Sequence, residues 1–121
     1  MESNQMDDIR INRISETMRE ELTELIEYEM EDPRMLPVTV TDVHVSPDGR
    51  KARVMITAPT AKEQAAGVAA LEHARAFLRV QLAQRMTVRH IQDLHFELDS
   101  IVDPARLNLL MKRVRKGRPR E

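Results

Sequence analysis

His95, Glu97 and Asp99 stand at alternate positions near the end of the last patterned stretch. Alternation puts the three on one face of a strand, the arrangement a hydrolase needs to hold a metal or pass a proton. The same spacing describes the solvent face of a half-covered sheet. The other histidines, His44, His73 and His90, form no i, i+4 helical pair of the zinc-binding kind. The chain has no cysteine, and its three glycines, Gly49, Gly67 and Gly117, are too scattered to build a phosphate-cradling loop. No serine follows a nucleophile-elbow pattern. This inventory argues against an enzyme and calls for no cofactor and no metal.

Arginine is the chemistry the chain has in quantity, fifteen against four lysines, and its planar fork favours bidentate contacts to phosphate. Arg75, Arg79, Arg85 and Arg89 fall outside the apolar stripe of their helical segment, and Lys51 and Arg53 share one face of a strand. The chain ends in KRVRKGRPRE, where Lys112, Arg113, Arg115, Lys116, Arg118 and Arg120 are basic. These residues are the expected nucleic-acid footprint. The only aromatic residues are Tyr28, Phe77 and Phe96. Both phenylalanines fall at positions expected in the core, which disfavours reading of unstacked bases and favours shape and phosphate recognition of a structured RNA.

The formal net charge of -1 hides a segregation: residues 1–32 hold eleven acids and three arginines, while the rest hold sixteen basic groups and nine acids. The acidic block neutralises the basic remainder across a folded surface or docks a basic protein. The second possibility defines the alternative function, a protein-interaction scaffold that does not touch RNA.

The elements that must position these residues follow from periodicity. Ile11, Ile14, Met18, Leu22, Leu25, Ile26 and Met30 step by threes and fours, predicting a helix from Asp7 to about Glu31 that Asp32-Pro33 ends. VTVTDVHV at 38–45 changes the parity of its valines, which predicts a bulge near Asp42. Ser46-Pro47-Asp48-Gly49 is a hairpin turn leading to a strand with Ala52, Val54, Ile56 and Ala58 inward. Thr60 and Glu63 match a capping box, and the helical pattern then runs to about Arg85. Leu94, Phe96 and Leu98 mark a third strand, parallel to the second because a helix intervenes. A short helix is expected from Asp103-Pro104. At 121 residues one core can bury roughly two-thirds of the unfolded surface, so the expected organisation is a single domain over 7–112 between a flexible N-terminus (1–6) and a flexible basic tail (113–121). No secretory or membrane-spanning signal is read, and a soluble, cytoplasmic monomer is expected.

The order helix, strand, strand, helix, strand is that of an α+β, type II KH-like domain, without the GxxG loop of ordinary KH domains. Asp32-Pro33-Arg34, VTVTDVHVSPD followed by Ala52, ALEHARAFLR from Ala70, and LHFELDS at 94–100 together resemble ribosome-binding factor A, in the same order and at similar spacing over about residues 9–112. The resemblance implies a three-stranded sheet packed on helices in the order α-β-β-α(kink)α-β, with the kink motif at Ala74, Arg75 and Ala76 facing RNA. Ala76 stands where the family has glycine, and alanine favours continuing a helix. Gln92 stands where the family usually has proline. The resemblance further implies a non-catalytic assembly factor that binds the 30S small subunit near the decoding-region helices of 16S rRNA. Such a factor supports late maturation and 5′-end processing and matters most in the cold. Ribosomal proteins and a releasing GTPase would be further partners.

Overall fold

The computed structural model describes residues 7–88 and 90–99. The first periodic segment forms α1, Asp8–Glu24, which Asp7 caps by accepting the Arg10 N–H at 2.8 Å. Its stripe buries Ile14, Met18 and Leu22. The helix does not run on to Glu31 as expected. It widens into a π-turn over Leu25–Glu29 and stops at Met30, which is extended at φ -95°, ψ 138°. The extra residue in the turn keeps both Leu25 and Ile26 in the core. Asp32, ahead of Pro33, has the extended backbone that proline imposes (φ -80°, ψ 115°). It caps a short 3₁₀ turn, Pro33–Met35, and the Arg34 guanidinium, at 2.6 Å, holds its carboxyl well below the usual range, at about 2.

The hairpin consists of β1, Thr39–Val45, and β2, Lys51–Thr57, paired antiparallel. Gly49 turns the chain at φ 75°, a left-handed value that suits glycine, and donates its N–H to the Ser46 carbonyl at 2.8 Å. Asp48 fixes the same turn by accepting the Ser46 hydroxyl at 2.6 Å and the Arg50 N–H at 3.0 Å. The parity change is a bulge at Thr41: Val40 pairs with Ile56 and Asp42 with Met55. It lets Val40, Val43 and Val45 all face the core. The third strand, β3 (Asp93–Leu98), lies parallel to β2 with Phe96 opposite Val54, and the sheet order is β1-β2-β3.

Between β2 and β3 the chain forms α2, Ala61–His73, and α3, Arg75–Arg85. Thr60 caps α2 by accepting the Glu63 N–H and donating to the Glu63 carboxylate, each at 3.1 Å. Gly67 permits a close approach of α2 to the segment just before β1, since a Cβ there would sit 2.5 Å from Val38 Cγ2. Leu71, Leu78 and Leu82 from the helices meet Val54, Ile56, Leu94 and Phe96 from the sheet, with Met18 and Leu22 of α1, in one core. The expected α+β, KH-like order with a divided second helix is therefore the observed one. Among the described residues no helix is long and apolar enough to cross a membrane. The expected flexible N-terminus, the short helix after Asp103 and the basic tail with Lys112, Arg113, Arg115 and Lys116 lie outside the described residues, as does Arg89.

Candidate nucleic-acid interface

Arginines set out along one helix differ by the direction in which each leaves it. Arg75 and Arg79 are one turn apart, and their side chains are 42% and 43% exposed. Arg75 pairs with Glu72 across the α2–α3 junction. Arg79 donates from Nη2 to the Ile91 carbonyl at 2.9 Å and lies 3.6 Å from the Asp93 carboxylate, which ties α3 to the start of β3. Arg85 follows six residues later, about 240° further round the axis, and faces the other way. Its guanidinium meets Glu21 at 3.3 Å, Glu24 at 3.6 Å and Glu29 at 3.5 Å, with the side chain 25% exposed. The single arginine face expected from the sequence is thus divided, and its last described member is joined to the acidic side of α1.

The second surface is the open side of the sheet. Lys51 and Arg53 point outward from β2 as expected. Arg53 grips Glu97 with two hydrogen bonds, at 3.0 and 3.2 Å. That pairing holds the Glu97 carboxyl below its ordinary range and raises the Arg53 guanidinium. Asp99 accepts the Thr41 hydroxyl at 2.7 Å, and His95 is exposed. The His95, Glu97 and Asp99 row is therefore a solvent face in which two carboxylates bind neighbouring strands. Among the described residues no group of three histidine or acidic side chains could hold a metal ion.

The junction between α2 and α3 is a break at Ala74, whose φ of -93° and ψ of 8° leave helical geometry. Its N–H lies 3.0 Å from the Ala70 carbonyl and 3.1 Å from that of Leu71, a tightened turn that redirects the chain. The preference of alanine for a continuous helix does not prevent this, because α2 packs on the sheet while α3 packs on α1. Ala76 falls inside the first turn of α3, after the break.

Phe77 corrects the sequence reading. It was expected in the core, but Leu78 takes the fully buried position and leaves Phe77 45% exposed. Two adjacent apolar residues on a helix differ by about 100°, and periodicity alone does not choose between them. Phe96 is buried as expected. Gln92 is also buried, and its Oε1 has no hydrogen-bond partner among the described residues. The outward side of α3 thus presents Ala76, Phe77, Val80 and Ala83, and the helix has three arginines and no acid.

Comparison with known proteins adds a family to this geometry. The sequence profile of ribosome-binding factor A matches residues 10–107. A relative with that name from Solibacter usitatus is 47% identical over 118 residues, covering 96% of each chain. The crystal structure of ribosome-binding factor A from Thermus thermophilus aligns with a TM-score of 0.67 at 30% identity, over 73% of this chain and 93% of that one. A homology model of the Thermus thermophilus protein, fitted into a cryo-EM map of its complex with the 30S subunit, aligns with a TM-score of 0.55 at 29% identity. That alignment covers 71% of this chain and 96% of the other.

Proposed function

The chain belongs to the ribosome-binding factor A family, and from that premise we propose that it binds the 30S small ribosomal subunit as a non-catalytic assembly factor. The observation that carries the reading is a Thermus thermophilus relative of the same fold fitted into the map of a 30S complex. The contact we assign is to 16S rRNA, through Arg75 and Arg79 beside the Ala74 break. Lys51 and Arg53 on the open sheet, Arg89, and the tail residues Lys112, Arg113, Arg115 and Lys116 extend it.

The physical support is that Arg75 and Arg79 pair with carboxylates at the surface, where an ion pair is worth at most about 1 kcal/mol. A phosphate forms a stronger charge-assisted contact and can take the place of Glu72 or Asp93. Arg85, held by three carboxylates, serves the fold. The finer steps rest on the family resemblance: action late in maturation, support of 16S rRNA 5′-end processing, greatest need in the cold, cytoplasmic action as a monomer, and departure with a GTPase.

Co-sedimentation with purified small subunits tests the reading. Binding is expected for the wild type, to fall steeply as salt rises because each neutralised phosphate releases counterions, and to weaken in the doubly reversed Arg75→Glu, Arg79→Glu protein. Absence of wild-type binding at moderate salt would sink it. In cells lacking the factor, precursor 16S rRNA should accumulate in the cold and be cleared by the wild type but not by the double variant. Association with one ribosomal protein that survives nuclease treatment, without affinity for RNA, would instead favour the acidic-helix scaffold.

A further inference from the structure

We infer that Phe77 is a stacking platform for one unpaired base of the bound RNA. The inference rests on the small-subunit reading above and adds a base contact to a surface otherwise built for phosphate. Phe77 is 45% exposed and Val80 is 55% exposed. Measured round the helix axis from Arg75, Ala76, Val80 and Phe77 fall at about 100°, 140° and 200°, with Arg79 at about 40° and Arg85 at about 280°. An exposed strip of Ala83, Ala76, Val80 and Phe77, crossed by Gln84 at about 180°, therefore faces solvent with Arg79 on one border, while Arg85 on the other, beyond Gln81, is held by the carboxylates of Glu21, Glu24 and Glu29. The small side chains of Ala76 and Ala83 let a partner approach the helix closely.

The charge selects the occupant. With no carboxylate of its own and with Arg75 and Arg79 in exposed pairs that a phosphate can replace, α3 favours a polyanion over an acid-poor protein surface. Among polyanions, one with aromatic faces also matches the ring. Base–aromatic stacking is tolerant of sequence because every base has a π-face. In RNA the bases able to reach such a ring are the unpaired ones in loops, bulges and ends.

The test uses the full chain with variants Phe77→Tyr, Phe77→Leu and Phe77→Ala, each first shown to keep the wild-type melting curve. Two probes are titrated at one salt concentration: protein-free small-subunit RNA and purified small subunits. The tyrosine variant should bind both as the wild type does. The leucine and alanine variants should lose roughly tenfold on both, with the slope of log affinity against log salt unchanged because no phosphate contact is removed. The chain has no tryptophan, so Phe77→Trp supplies its single tryptophan, whose emission should be quenched when the protein-free RNA binds.

Equal binding by the leucine variant would overturn the stacking role and leave a merely apolar contact. Loss on subunits but not on protein-free RNA would assign the ring to a ribosomal protein and overturn it as well. These failures are distinct from failure of the functional reading, in which the wild type itself would bind no small subunits.

Discussion

The two long sides of α3 carry the same residue types to opposite ends. Inward, Leu78 and Leu82 are fully buried and Arg85 is surrounded by Glu21, Glu24 and Glu29. Elsewhere on the helix, Phe77 and Val80 face solvent, and Arg75 and Arg79 are held by exposed carboxylates, Arg79 also by the Ile91 carbonyl. An arginine enclosed by several acids from another element fixes where that element sits. An arginine in an exposed pair keeps the freedom to change partners. One helix of eleven residues can thus hold the fold with one side and offer a surface with the other.

Breaking the inward side should have the largest effect. Leu82→Ala should lower the unfolding free energy by about 2–5 kcal/mol, read from the urea midpoint. Arg85→Glu adds a fourth carboxylate to three and should cost about 1–3 kcal/mol, partly recovered in about 1 M salt, where charge interactions are screened within a few ångströms. A melting curve insensitive to salt would remove the electrostatic account. Arg75→Glu should change stability by no more than about 0.5 kcal/mol while weakening small-subunit binding. Should it destabilise as Arg85→Glu does, the two sides are not distinct.

The smallest effect expected is that of pH on the exposed pairs. The folded-state carboxyl of Asp32 lies at about 2, below its ordinary 3.8, and that of Glu97 is also lowered. Both contributions are complete above the ordinary carboxylate range and are lost as the carboxyls protonate in acid, that of Asp32 as pH falls towards 2. A plot of midpoint against pH should therefore decline on the acid side less steeply for Asp32→Asn than for the wild type, and identical curves would show that the Arg34 pair adds nothing.

Much of the fold could be read from local chemistry. The bulge at Thr41 was visible as a change of valine parity, the turn as Ser46-Pro47-Asp48-Gly49, and the start of α2 as Thr60 with Glu63. The π-turn at Leu25–Glu29 was not visible, because Leu22, Leu25, Ile26 and Met30 satisfy a plain helical stripe equally well. The break at Ala74 was expected only from the family resemblance, since alanine carries no local stop signal and the redirection comes from the different partners of α2 and α3. The role of Gly67 was not visible either, because only the fold brings Val38 against it. At the candidate interface the residue types were legible but their directions were not. Arg85 and Glu21 are too far apart in the chain for any local pattern to join them, although the charge segregation hinted at such a match. The exposure of Phe77 depended on which neighbour the core admitted.

The register of the sheet also has a kinetic consequence. β1 and β2 pair across a five-residue turn, so their contact is local and can form in microseconds. Lys51 meets Asp93 only after the whole of α2 and α3 has been laid between them. Closing that long connection carries the larger entropic cost and should be the slow step of folding. During synthesis the hairpin and α1 can associate early, whereas α2 gains its final backing, and Arg79 of α3 its Ile91 and Asp93 partners, only when β3 arrives. The surface assigned to RNA would then be among the last parts of the chain to mature, which delays its exposure in finished form until the domain is complete.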